Sequence, residues 1–152
     1  MWNIAKQVRD AATLLRVSAV EISEQEATMV LGRVHERYTE PDRRGALWER
    51  FSQVVSVQNA DAWKWIGNYK SDDGCILFFN FEDESAMFEF EHCQNIPLVI
   101  AECTGFEFYI TNRAASFILC FNHHDFLIAA GDARPWLASL VTSVAMQNSE
   151  TE

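Results

Sequence analysis

The sequence predicts an α+β domain in which N-terminal helices and a C-terminal helix pack on one face of an antiparallel meander sheet of about 4–6 strands. Three observations lead there. The chain has 152 residues, 49% of them hydrophobic, with 11 Phe and 5 Trp, which is apolar material enough for one core. Apolar residues recur at helical spacing near both ends. Between those ends, short aromatic and β-branched runs follow one another at turn-sized intervals. No internal repeat and no Ser-, Gly- or Pro-rich linker divides the chain, so a single domain over 1–147 with a frayed polar tail over 148–152 is expected.

The first helix is read from Ile4, Val8, Ala11, Leu14 and Leu15, which share one helical stripe. The second begins at a capping-box pattern, Ser23 followed three residues later by Glu26. Its stripe is Ala27, Val30, Leu31 and Val34, and it ends near Tyr38 because Pro41 disfavours helical geometry just before it. The loop 40–45 follows, then a short helix over 46–51, then an ambiguous stretch over 54–59.

The second half changes period. Strands are read at 75–79, 87–91, 106–111, 117–121 and 126–129. Turns fall at 111–116 and 122–125, which makes the last three strands successive hairpins. The segment 96–103 reads as either a strand or a short helix, and Pro97 fits a first helical turn. After Gly131, Asp132 is a plausible N-cap, Pro135 and Trp136 belong to a first turn, and Leu137, Leu140 and Val141 continue an apolar face.

Charge excludes several functions. With 12 Lys+Arg against 22 Asp+Glu, the net charge is -10. Direct nucleic-acid binding needs a basic surface, and docking on anionic membranes needs the same. No apolar run reaches the ~18 residues of a spanning helix, and the first residues lack a signal peptide's apolar core. Cys75, Cys93, Cys103 and Cys120 show no CxxC spacing and sit in apolar surroundings, so they read as reduced thiols of a cytoplasmic protein.

The charge is unevenly placed. From Met1 to Lys70 there are ten basic and nine acidic residues, while the interval between Lys70 and Arg113 holds nine acids and no Lys or Arg. Asp72, Asp73, Glu82, Asp83, Glu84, Glu89 and Glu91 are the candidate partner-binding residues of that interval. If 87–91 alternates, Phe88 and Phe90 face the core and Glu89 and Glu91 face water. Solvated carboxylates on exposed strands explain that pattern. The same carboxylates are available to the Lys and Arg of a basic partner. Trp65 is a candidate interface anchor, tryptophan being enriched in binding hot spots. Trp63 lies two residues away, so the pair shares a face only in a strand.

His123, His124 and Asp125 form the most conspicuous polar cluster. Adjacent His side chains diverge on a strand but converge in a tight turn, where His92 or Glu107 could supply a third metal ligand. The plainer reading is a turn whose side chains bond backbone groups. There is no GxSxG, HExxH, P-loop or GxGxxG pattern. Neither Cys120 near His123 nor Cys93 beside His92 has a diagnostic spacing for nucleophilic catalysis.

The segments 107–111 and 117–125, with Ala130, Gly131, Trp136 and Leu137, resemble small bacterial α+β immunity proteins of polymorphic and contact-dependent toxin systems. The resemblance covers about residues 107–137. It implies a cytoplasmic, non-catalytic inhibitor without cofactor or metal, monomeric or homodimeric. Such a protein binds a cognate toxin domain, often a nuclease, and occludes its active site. A nuclease cleft must hold phosphate and is therefore basic, which suits an acidic partner. The alternative expectation is a small enzyme or metal-binding protein with its site at His123, His124 and Asp125.

Overall fold

A computed structural model describes residues 3–150, with side chains through Ser143. The fold is α+β, with helices packed against one antiparallel sheet. Among the described residues the elements run α1 (Ile4–Leu15), β1 (Ala19–Glu21), α2 (Glu24–Tyr38), a 3-10 turn (Leu47–Arg50), β2 (Val55–Gln58), a second 3-10 segment (Ala62–Asn68), β3 (Cys75–Phe78), β4 (Phe88–Phe90), α3 (Asn95–Ile100), β5 (Phe108–Thr111), β6 (Phe117–Phe121), β7 (Phe126–Gly131) and α4 (Arg134–Glu150).

The sheet has seven strands in the order β1-β4-β3-β5-β6-β7-β2, more than the four to six expected. The additions are the two edges. β1 is three residues long with an exposed Val20, and β2 alternates half-buried and exposed residues. Both are too short and too polar to announce themselves beside the apolar central strands.

The helices cover both faces, not one. Leu77, Phe88, Phe90, Ile110 and Leu119 pack with Ile4, Val8 and Ala11 of α1, Ile96 and Val99 of α3, and Leu137 of α4. Ile76, Phe78, Tyr109, Ile118 and Cys120 pack with Val30, Val34 and Tyr38 of α2 and with Leu47. Successive strand residues point to opposite faces, so a sheet covered twice buries every residue of its central strands. All of β3 and β5 is indeed buried. The alternation expected at 106–111 therefore gives no solvent-facing side within β5.

Several local expectations are met. Ser23 Oγ accepts from the Glu26 amide at 3.1 Å, but the Glu26 carboxylate pairs with Arg113 at 3.1 Å instead of reaching back. The segment 96–103 starts as helix α3, with Pro97 in its first turn. Leu14, placed in the apolar stripe of α1, is 70% exposed, and Leu15 packs on the core in its place. Asn122, Asp125 and Gly131 make the last two strands turn and stop. Asp125 has φ 63, and Gly131 has φ 66, where an added Cβ would lie 2.4 Å from the Tyr38 hydroxyl. α4 is helical through Glu150, and the end of the expected tail, Thr151 and Glu152, lies outside the described residues.

The cysteines divide into two kinds. Cys75 at the start of β3 and Cys93 after β4 form a disulfide, with Cα atoms 5.5 Å apart and a sequence separation of 18. The expectation of four reduced thiols is corrected for this pair, because the β3–β4 register brings the two together from positions that carry no spacing motif. Cys103 and Cys120 are free.

Candidate functional site

Antiparallel pairing of β3 with β4 sets Cys75 opposite Phe90 and Leu77 opposite Phe88. Residues just before β3 therefore lie at the same end of the hairpin as residues just after β4. Asp72, Asp73 and Glu91 meet there. Glu82, Asp83 and Glu84 belong to the β3–β4 connection at the opposite end. Six steps of about 3.3 Å along the chain from Gly74 to Asn80 separate the two groups by roughly 20 Å. The acidic interval is continuous in sequence and divided in space.

At the first end, Asp72, Asp73, Glu89 and Glu91 line an open cavity of about 720 Å³, with Lys70 and His92 also at its wall. Cys93, which lines it, is joined by the disulfide to Cys75, the residue after the lining Gly74. Gly74 turns with φ +76, and a Cβ there would come within 2.9 Å of the Phe90 carbonyl oxygen. Asp72 and Asp73 are exposed. The Glu91 side chain is 84% exposed, with His92 Nε2 at 3.8 Å.

Glu89 differs from these. Its oxygens accept from Arg113 Nε at 2.8 Å and Nη2 at 3.0 Å, and Arg113 also reaches Glu26 at 3.1 Å. Hydrogen bonds donated to these two carboxylates push the Arg113 pKa further up. The first cation beyond the acidic interval thus folds back onto it and ties β4 to α2. Phe88 and Phe90 are buried, as the alternation predicted, but Glu89, expected to face water, is half-buried and paired with Arg113.

At the other end the three acids also have different roles. Glu84 Oε1 accepts from the Ala5 amide at 3.0 Å, and its Oε2 accepts from the Ala86 amide at 3.1 Å. It closes the N-terminus of α1, where free amides and the helix dipole both favour a carboxylate. Glu82 and Asp83 are exposed beside Phe81, which is 66% exposed. Phe81, Glu82 and Asp83 line a second cavity of about 660 Å³. Trp65 is half-buried, and its ring packs against the core.

The turn between β6 and β7 carries His123, His124 and Asp125. Asn122, 3% exposed, shapes it: its Oδ1 accepts from the amides of His124 and Phe126, each at 3.0 Å. Glu107 Oε1 accepts from the His123 amide at 3.0 Å and lies 2.5 Å from His123 Nδ1. Its Oε2 accepts from Asn80 Nδ2 at 2.6 Å. Asn80 Oδ1 accepts from the Tyr109 hydroxyl at 3.0 Å, which itself accepts from the Trp48 amide at 3.2 Å. Burial alone would raise the Glu107 pKa, but the bonds from Asn80 and His123 outweigh it and hold the carboxyl below its usual range. Burial pushes the Tyr109 hydroxyl far up, so it stays protonated. The Trp48 ring lies edge-on to both His rings, at 6.4 and 6.1 Å between centroids.

Glu107 thus joins His123, as the spacing allowed, through a hydrogen bond. Among the described residues no group of three or more His, Cys, Asp or Glu side chains is placed to hold a metal ion. Asn80, Tyr109 and Trp48 were invisible as partners in the sequence. The available signal was Asn80 itself, a polar residue ending a buried run. No family model, no curated protein and no solved structure matches the chain.

Proposed function

We propose that the protein is an immunity protein: it binds a basic toxin domain, a nuclease in the leading case, and occludes its active site without performing catalysis. The observation that supports this reading best is the open cavity whose wall carries Asp72, Asp73, Glu89 and Glu91. Three of those four carboxylates have no Lys or Arg partner within 4.0 Å among the described residues. A rigid group of like charges on a disulfide-tied turn attracts Lys and Arg of a basic cleft and speeds encounter. Asp72, Asp73 and Glu91 carry the proposal, with Glu82 and Asp83 as a second acidic pole. Glu84 and Glu89 are engaged within the fold, and Trp65 is engaged by the core. The action is placed in the cytoplasm, with the protein as monomer or homodimer. A cytosolic disulfide is unusual, but Cys75 and Cys93 are 0% and 3% exposed, and exchange with soluble thiols requires access to a sulfur.

The test first reads the neighbouring reading frame for a toxin domain and then pairs this chain with that domain. Wild-type protein should abolish the toxin's activity at equimolar ratio. Reversing Asp72, Asp73 and Glu91 to Lys should slow association at least about tenfold at low salt and flatten its salt dependence. Full inhibition by a variant reversed at Asp72, Asp73, Glu82, Asp83 and Glu91 together would defeat the electrostatic reading.

The pair Glu107–His123 favours a second reading, a small enzyme or metal-binding protein. A buried carboxylate on Nδ1 orients the ring and leaves Nε2 as its free nitrogen, an arrangement suited to moving a proton. Elemental analysis, with Ala at His123, His124 and Asp125, tests it. Absence of metal together with unchanged function in the triple variant ends it.

A further inference from the structure

We propose that β2, one edge of the sheet, pairs antiparallel with β2 of a second copy of this chain, so that two sheets join about a two-fold axis. The proposal does not depend on the toxin reading. Each edge strand, β1 and β2, leaves one row of backbone groups outside the ladder. The Asn59 amide donates to the Asp125 carbonyl at 2.9 Å, in the same register that sets Val57 opposite Leu127 and Val55 opposite Ala129. Antiparallel bonding alternates along a strand. Val55 and Val57 therefore bond inward to β7, and the amides and carbonyls of Ser56 and Gln58 point away from the sheet. Ser56 and Gln58 are exposed, and among the described residues no backbone hydrogen bond from another element reaches them.

The two edges differ in what they offer a second copy. β1 is three residues long and carries the Glu21 that pairs with Arg9. Its Val20 lines the acidic cavity together with Asp72, Asp73 and Glu91. Short length and charge both prevent edge-to-edge pairing. β2 has neither charge nor proline: no Asp, Glu, Lys, Arg or Pro stands between Arg50 and Asp61. In a chain at -10, this is the edge that carries no charge of its own to repel a copy. It is also self-complementary. A two-fold axis through Ser56 sets it opposite the partner's Ser56, where the outward amides and carbonyls satisfy each other. Val55 then stands opposite the partner's Val57. Both valines are half-buried on the core, and α4 packs against β2. Such β-branched cross-strand pairs stabilise a sheet, and the same patch serves on both copies, as a two-fold interface requires.

The strand order keeps the acids away from this contact. β4 lies five strands from β2, or about 24 Å at ~4.8 Å per strand. The acidic cavities of the two copies therefore stand on the order of 50 Å apart along the joined sheet, several Debye lengths at physiological salt. Both cavities stay free. The general repulsion between two chains at -10 still opposes pairing, and salt screens it. Self-association should therefore strengthen with salt, whereas attraction to a basic partner weakens.

Sedimentation velocity of the whole chain, at about 1–500 μM in about 0.05 M and 0.5 M NaCl, tests this. A reversible monomer–dimer equilibrium is expected, with more dimer at the higher salt. Ser56→Pro removes an outward amide and no bond to β7, a change that edge strands accept. Ser56→Lys sets two like charges opposite each other at the two-fold axis. Each should weaken dimerisation at least about tenfold, and Ser56→Lys serves if the proline variant fails to fold. Hydrogen exchange at the Ser56 and Gln58 amides should slow as protein concentration rises, while the Val57 amide is protected throughout. A monomer under all these conditions, a dimer that both variants leave intact, or a dimer that salt weakens would each overturn the proposal.

Discussion

Replacing Glu84 by Ala removes an acceptor from two backbone amides at once. The Ala5 amide belongs to the first turn of α1, and Ala5 is 5% exposed, so water replaces the carboxylate poorly. Loss of a helix cap costs roughly 0.5–2 kcal/mol. Loss of the bond to Ala86 adds about 1 kcal/mol, and loss of the charge at the helix N-terminus a further ~0.3–1 kcal/mol. These terms overlap, and together they predict a loss of about 2 kcal/mol for Glu84→Ala. Glu84→Gln offers one carbonyl oxygen where the carboxylate offers two, so it should lose about half as much. Urea unfolding followed by tryptophan fluorescence reads this directly. With a slope of about 2 kcal/mol per M, Glu84→Ala should move the midpoint down by about 1 M. Glu82→Ala, two residues away and exposed, should change stability by less than ~0.5 kcal/mol. Equal and small effects at Glu82 and Glu84 would refute the assignment and return Glu84 to the surface acids.

Three further outcomes follow from named contacts. Denatured, unreduced protein should show two titratable thiols, Cys103 and Cys120; four would mean that Cys75 and Cys93 are not joined. Closing a loop with a sequence separation of 18 is worth about 3 kcal/mol in the chain-entropy model, so reduction should lower the urea midpoint by about 1.5 M. Tyr109→Phe removes the hydroxyl that links Trp48 to Asn80 and should cost about 1–2 kcal/mol in the same assay. Glu107 has a folded pKa below its ordinary value, so its contribution is present above the unfolded pKa near 4.5 and is lost as pH falls through the folded one. Glu107→Gln should therefore be less stable than wild type at pH 7, and the gap should narrow as pH falls below about 4; a gap independent of pH between 3 and 7 would contradict this.

Periodicity made α1, α2 and the hairpins of β5, β6 and β7 legible, because each keeps one apolar pattern for long enough to show its period. Two features of the sheet were not legible. A strand covered on both faces reads as a continuous apolar run, and 75–79 and 117–121 are such runs, yet a run does not tell which helix covers which face. Val30 and Val8 look alike in sequence, and they pack on opposite sides. Within the acidic interval, composition identified the residues but gave them one common role. Their roles diverge through long-range partners, Arg113 for Glu89 and Ala5 for Glu84, at sequence separations of 24 and 79. The Glu107 cluster was half legible: His123 stood out as a polar turn residue, while Asn80 and Tyr109 reach it only through the β3–β5 pairing.

The division of the acids sets what a basic partner experiences. Asp72, Asp73 and Glu91 form one pole of the β3–β4 hairpin and Glu82 and Asp83 the other, separated by roughly 20 Å. That distance is about twice the Debye length of ~8–10 Å at physiological salt and below the ~30 Å at 0.01 M. At low salt an approaching cation therefore feels both poles together, and reversing either one should slow encounter. At physiological salt the poles act almost separately, and only the one in contact should matter. Two variants separate guidance from contact: Asp72→Lys with Asp73→Lys, and Glu82→Lys with Asp83→Lys. If the first end is the interface, the first pair should weaken binding at both salt concentrations and the second only at low salt. The reverse ordering would move the interface to the Phe81 end of the hairpin, and equal effects at both salts would mean that the partner spans the hairpin from end to end.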